Sequence, residues 1–108
     1  MTPAELLRLA RDRVTRGWCQ RAIARLMTGE ACPAESRDAL SWCAVGALVA
    51  VSSPVEVHND AFHRLRHAIG LRGDQAIGAW NDAPERRQQD VVDAYDRALA
   101  AIPQEVAA

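Results

Sequence analysis

Lysine is absent from this chain of 108 residues, and all thirteen basic residues are arginine. Phosphate recognition favours arginine, but so does a GC-rich genome whose codons favour Arg and Ala. The abundance of alanine supports the second origin, a high-GC bacterium or its phage. Large aromatic side chains are scarce, with one Phe, one Tyr and three Trp. The indoles, which bury about 150–250 Å² apiece, are therefore the natural anchors of a core. No apolar run reaches the roughly 20 positions of a bilayer-spanning helix. The longest, residues 39–51, is interrupted by Ser41 and reads as a buried helix. No segment shows sustained period-two alternation, which argues against strands. There is no C-x-x-C pair, and the three cysteines cannot all pair within one chain. The start of the chain is an Arg-rich amphipathic segment rather than an export signal, so reduced thiols in a cytoplasm are expected.

A composition of 49% hydrophobic and 25% charged residues is that of a folded globular chain and excludes wholesale disorder. The length predicts one domain over residues 1–108, with a frayed tail at about 104–108. The net charge of −1 is unevenly spread. Residues 1–25 carry +4 and residues 74–97 carry −3, so the two ends are candidates to face each other or a charged partner.

Thr2-Pro3-Ala4-Glu5 has the form of a capping box with Pro at the first helical position, and it predicts a helix with Leu6, Leu7, Ala10 and Val14 on one face and Gly17 at its end. Trp18, Cys19, Ala22, Ile23 and Leu26 suggest a short second helix ending near Thr28-Gly29. A third, apolar almost all round, is predicted over about 35–51 as the central element. Its small residues Ala39, Cys43, Gly46, Ala47 and Ala50 form a stripe that lets another backbone approach closely. Ser53, Pro54 and Glu56 predict a capped fourth helix over 54–69, stopped by Gly70. Asp74 is the expected cap of a short helix carrying Ile77 and Trp80. The last helix, about 86–102, points Val91, Tyr95, Ala98 and Ile102 inward, and Pro103 ends it. The pattern predicts an all-α fold, a compact single-domain bundle of five to six short helices.

Several side chains have the chemistry of a site. Cys43, His58 and Asn81 are the types of a thiol, a base and an orienting amide, the constellation of thiol acyl transfer. Against this, a mid-helix thiol in an apolar stripe has its pKa raised, whereas nucleophilic thiols sit at helix N-termini. His58 projects onto the apolar side of its helix, and the simpler reading is a core histidine bonded to a backbone carbonyl or to Asn81 or Asp82. Asn81 and Asp82 after Trp80 suit the floor of an indole-lined ligand pocket, or a corner in which Asn81 ends one helix in the left-handed conformation and Asp82 caps the next. The candidate ligand-binding residues are Trp42, Cys43, His58, Trp80, Asn81 and Asp82. Thiols and histidines are also zinc ligands, but the spacing is wrong and His63-x-x-x-His67 projects to solvent, so neither metal nor cofactor is expected. Arg8 and Arg11, exposed on the first helix, are the candidate partner-binding residues, whereas the overall acidity argues against nucleic acid.

At these motifs the chain resembles an uncharacterised family of small bacterial and phage-encoded proteins, a domain of unknown function. Its pattern is Gly-Trp-Cys-x-Gly-Ala, then Trp-Cys-x-x-Gly-Ala-Leu, then Trp-Asn-Asp-Ala with an Arg and a hydrophobic terminal helix. Here Gly17-Trp18-Cys19, Trp42-Cys43-Ala44-Val45-Gly46-Ala47-Leu48, Trp80-Asn81-Asp82-Ala83 and Arg86 match in order. Arg21 stands where the pattern has Gly, and Arg87 where a Thr would cap the final helix. The resemblance implies a helical single domain and brings no activity with it.

The expectation is therefore a cytoplasmic, non-enzymatic interaction or regulatory module that meets a protein partner or itself, with no membrane span. The alternatives are a small-molecule-binding or thiol-dependent catalytic domain centred on Cys43, His58, Asn81 and Asp82, and a phage-derived inhibitor of a host or defence complex.

Overall fold

Thr2 opens the first helix as its sequence predicts. The Thr2 hydroxyl accepts the Glu5 amide at 3.1 Å and the Glu5 carboxylate accepts the Thr2 amide at 3.4 Å, pairing two amides that a first helical turn otherwise leaves bare. The computed structural model describes residues 1–103, and the tail expected at 104–108 lies outside the described residues. Among the described residues the elements run α1 (Pro3–Arg16), β1 (Ala24–Arg25), β2 (Ala31–Cys32), β3 (Ser41–Trp42), α2 (Ala44–Val49), α3 (Val55–Ile69), α4 (Ile77–Asn81) and α5 (Gln88–Ala100).

The all-α expectation is thus corrected: five helices share the fold with a small antiparallel sheet of order β2-β1-β3. Ala24 lies opposite both Cys32 and Trp42, and Arg25 opposite Ala31 and Ser41. A parallel bridge joins Trp18 to Trp42, where the Trp42 amide donates to the Gly17 carbonyl at 3.0 Å and the Cys19 amide to the Trp42 carbonyl at 3.3 Å. Two-residue strands are too short to show alternation, which is why the sequence does not announce them. The predicted second helix does not form because Arg21 sits at φ 62°, a conformation no right-handed helix contains. Gly29, at φ 91°, instead turns β1 back into β2.

The central helix predicted over 35–51 is reduced to α2. Its first half is turn and strand, and Cys43, placed mid-helix by the sequence, is the N-cap. The close approach predicted at Gly46 is real, since a Cβ there would lie 1.9 Å from the Ile23 carbonyl oxygen. Gly17 is similar, with a Cβ position 2.0 Å from the Leu40 carbonyl oxygen. The cap expected from Ser53 is not made: Pro54 is the N-cap of α3, and the buried Ser53 hydroxyl has no partner among the described residues. Gly70 ends α3 in the left-handed region at φ 86°, as expected. Asp74 does not cap α4, whose N-cap is Ala76.

Helix α1 packs on α5, α2 and α3, and Tyr95, Leu6, Leu48 and Leu65 are fully buried where they meet. Burying a leucine of this kind stabilises the fold by about 1.5–3 kcal/mol. Only Trp42 of the three indoles is a core residue, at 8% exposure. Trp18 and Trp80 are half-buried and pack against the core's edge. Among the described residues no helix is long and apolar enough to cross a membrane.

Candidate functional site

Three segments distant in sequence meet at one side chain, Asn81, the last residue of α4 and fully buried. Its Oδ1 accepts the Trp18 indole N–H at 2.7 Å and the Ala44 amide at 2.9 Å. Its Nδ2 donates to the Cys19 carbonyl at 3.1 Å and to Asp82 Oδ1 at 3.0 Å. Two donors aimed at one end and two acceptors at the other fix the amide's orientation. Four bonds are also all that an asparagine side chain can make. Asn81 therefore ties the loop after α1 and the first turn of α2 to the end of α4, and it has nothing left to offer a ligand.

The surrounding bonds extend the same fastening. Asp82 Oδ1 also accepts the Arg21 amide at 2.9 Å, so it holds the residue with positive φ instead of capping the next helix as predicted. Asn81 is helical, and Asp82 ends α4 at φ −89°, so the predicted left-handed terminator is absent. Helix α5 begins later, with Arg87 as N-cap and its amide bonded to Asp90 at 2.9 Å. Gln20 donates to the carbonyls of Asn81 and Ala83 at 3.0 and 2.9 Å. The Arg86 guanidinium lies 4.2 Å from the centroid of the Trp80 ring and donates to the Trp80 carbonyl at 2.8 Å. Tyr95 closes the network from below, its hydroxyl donating to the Ala44 carbonyl at 2.6 Å.

The thiol beside this network is masked. Cys43 Sγ accepts the Gly46 amide at 3.2 Å as the cap of α2. Burial pushes the Cys43 thiol up, outweighing the amides that favour its thiolate. Burial raises Cys19 as well, and it pushes the Tyr95 phenol well up. No imidazole hydrogen-bonds Cys43. His58 Nδ1 faces the Ser53 carbonyl and Nε2 the Leu48 carbonyl, both at 3.2 Å, so the expected backbone-carbonyl partners are present, but the ring is half-buried and not part of the core. Cys43, His58 and Asn81 thus do not form a relay, because each is engaged elsewhere. Among the described residues no group of three or more His, Cys, Asp or Glu side chains is placed to hold a metal ion.

Trp42 belongs to a second neighbourhood. Its indole N–H donates to the Ala34 carbonyl at 3.1 Å, and the guanidiniums of Arg13 and Arg16 each lie 5.8 Å from the ring centroid. Of the predicted partner residues, Arg8 is exposed and lines one groove with Asp60 and Arg64, while Arg11 is engaged with Asp96 of α5 and its charge is held by that bond. Asn81 and Asp82 follow Trp80 in the chain and, through the Ala44 amide, Asn81 reaches the residue after Cys43, whereas His58 faces the Ser53 and Leu48 carbonyls and the Trp42 indole bonds the Ala34 carbonyl. Sequence reasoning missed Trp18, Gln20, Arg21 and Tyr95 as members of the network. Gly-Trp-Cys next to a position where the resembling pattern has Gly was the one available pointer to a tight turn at 21.

Fold and site together define a small helical domain with a minor sheet, whose tryptophan motifs converge on one saturated asparagine. The chain belongs to a family of unknown function (DUF6197), matched over residues 1–101. Neither a curated protein nor a solved structure matches it. No biochemical activity follows from the family.

Proposed function

We propose that this protein is a non-enzymatic binding module, a rigid scaffold that meets another protein, or a second copy of itself, through its charged exterior. The observation that carries the reading is the saturation of Asn81, whose four bonds go to Trp18, Ala44, Cys19 and Asp82. A motif without a spare donor or acceptor supports the fold and gives a substrate nothing to hold unless it is broken. The capped, buried thiol of Cys43 supports the same conclusion from the side of reactivity. Recognition then falls to arginine, with Arg8 exposed and Arg11 presenting a paired charge. The absence of lysine and the three free thiols suit the cytoplasm of a high-GC bacterium or its phage.

Alkylation of the folded protein at neutral pH tests the reading. Half-exposed Cys32 labels readily, while Cys19 and Cys43 label only as fast as the protein unfolds. A folded Cys43 that reacts like a free thiol would move the function to thiol chemistry. Sedimentation at increasing protein concentration separates self-association from a need for a different partner.

A further inference from the structure

Arg13 and Arg16 stand three positions apart on the last turn of α1 and so share a face. Both guanidiniums are within cation–π range of the Trp42 indole. Among the described residues neither makes an ion pair or a side-chain hydrogen bond. The same arginines and Trp42 line a recess of about 250 Å³, to which the loop after Pro33 contributes Ser36 and a third arginine, Arg37. That volume is roughly eight times the 30 Å³ share of a liquid water, enough for a phosphoryl group. We propose that Arg13, Arg16 and Arg37 around Trp42 form a binding site for a phosphate-type oxyanion.

Two simpler accounts explain less. Basic residues in the last turn of a helix complement its dipole, but this does not bring a third arginine from another segment to the same recess. Stacking on an indole offsets part of the repulsion between Arg13 and Arg16, yet burial and the charge of Arg16 still make Arg13 the less readily protonated. Among the described residues the two guanidiniums are thus held close with no carboxylate paired to either. Three guanidiniums exceed what one carboxylate neutralises and suit a group carrying about −1.5 to −2 at neutral pH. Exposed Glu35 also lines the recess without pairing to any of the three, and it weakens rather than completes the site. Trp42 sets both walls, through its amide on the Gly17 carbonyl just beyond α1 and its indole N–H on the Ala34 carbonyl at the start of the loop.

The inference rests on reading the protein as a binding module, and calorimetric titration of the full chain with inorganic phosphate at low ionic strength tests it separately. Phosphate is expected to bind in the millimolar range or tighter, with acetate at least tenfold weaker. Arg16→Gln and Arg37→Gln should each weaken phosphate at least tenfold with an unchanged circular dichroism spectrum, and Glu35→Gln should tighten it. Arg37 is on an exposed loop, so its variant keeps the test sound if the α1 variant folds poorly. No phosphate binding by the parent, equal binding by parent and Arg37→Gln, or acetate binding as well as phosphate would each overturn the site. If the site fails while Cys43 stays protected from alkylation, the scaffold reading stands without it.

Discussion

Replacing Asn81 with alanine removes four hydrogen bonds in one step and leaves the groups that made them in place. The Ala44 amide and the Cys19 carbonyl lose a buried partner, and the Trp18 indole N–H loses one at the edge of the core. A buried polar group left unpaired costs about 1–3 kcal/mol. Water reaches the half-buried Trp18, so its share is discounted, and the expected loss is about 3–5 kcal/mol. Against a typical domain stability of about 5–15 kcal/mol this is a large fraction. Asn81→Asp sharpens the test, because it preserves shape and both acceptor contacts while replacing the amide donor with a carboxylate facing Asp82 Oδ1 and the Cys19 carbonyl. It should be at least as damaging as alanine. Urea denaturation followed by far-ultraviolet circular dichroism and by tryptophan fluorescence measures both. An Asn81→Ala protein within about 1 kcal/mol of the parent would refute the assignment of Asn81 as the fastening of the fold.

Arg21 occupies φ 62° with its side chain exposed, so Arg21→Gly should stabilise the protein by about 1 kcal/mol, the strain of a left-handed L-residue less the entropy glycine regains on unfolding; a lower urea midpoint would count against that. At Gly46 helix propensity alone favours alanine by about 1 kcal/mol, yet a Cβ 1.9 Å from the Ile23 carbonyl oxygen forces backbone apart, so thermal melting of Gly46→Ala should show a loss of at least about 1–3 kcal/mol. Cys19, Cys43 and Tyr95 are all shifted upward in the fold, chiefly by burial. Their stabilisation is complete below the unfolded values of about 8.5 for Cys and about 10 for Tyr and is lost as pH rises through the folded values. Stability should therefore fall on the alkaline side by up to about 1.4 kcal/mol per pH unit for each ionising group. Tyr95→Phe, though weakened by losing the bond to Ala44, should show a shallower decline above about pH 10, and an unchanged slope would show that Tyr95 is not the titrating group.

The parts of the fold that were legible in the sequence are those whose cause is local. The capping box at Thr2 and Glu5, the stop at Gly70 and the buried face of α5 are set by residues within a turn or two of one another. The run from Ala39 to Val51 was not legible, because a nearly unbroken apolar stretch has no polar alternation to report a period. It hides a strand buried at Trp42, a cap at Cys43 and only then a helix. Cysteine is not among the preferred N-cap residues, so nothing in the sequence marked the boundary. The site divides the same way. That Asn81 and Asp82 end a helix is a local statement and survives, although neither the left-handed terminator nor the cap does. Their actual partners, Trp18, Cys19, Arg21 and Ala44, come from segments whose conformation depends on tertiary contact.

Trp42 links the interior fastening to the exterior. Its backbone pairs with Gly17 at the end of α1, its indole holds the start of the loop that carries Arg37, and its chain neighbours Cys43 and Ala44 lead directly into the bonds of Asn81 and Tyr95. The walls that bear Arg13, Arg16 and Arg37 are therefore positioned by the same residue that the interior network holds. Trp42→Phe separates the two roles, since it keeps a buried ring under the guanidiniums but removes the donor to Ala34. The loop wall should then loosen, weakening phosphate severalfold while the α1 wall and the helical content persist. Phosphate binding undiminished in that variant would mean that the loop is held by other contacts, and that the tryptophan serves the core alone.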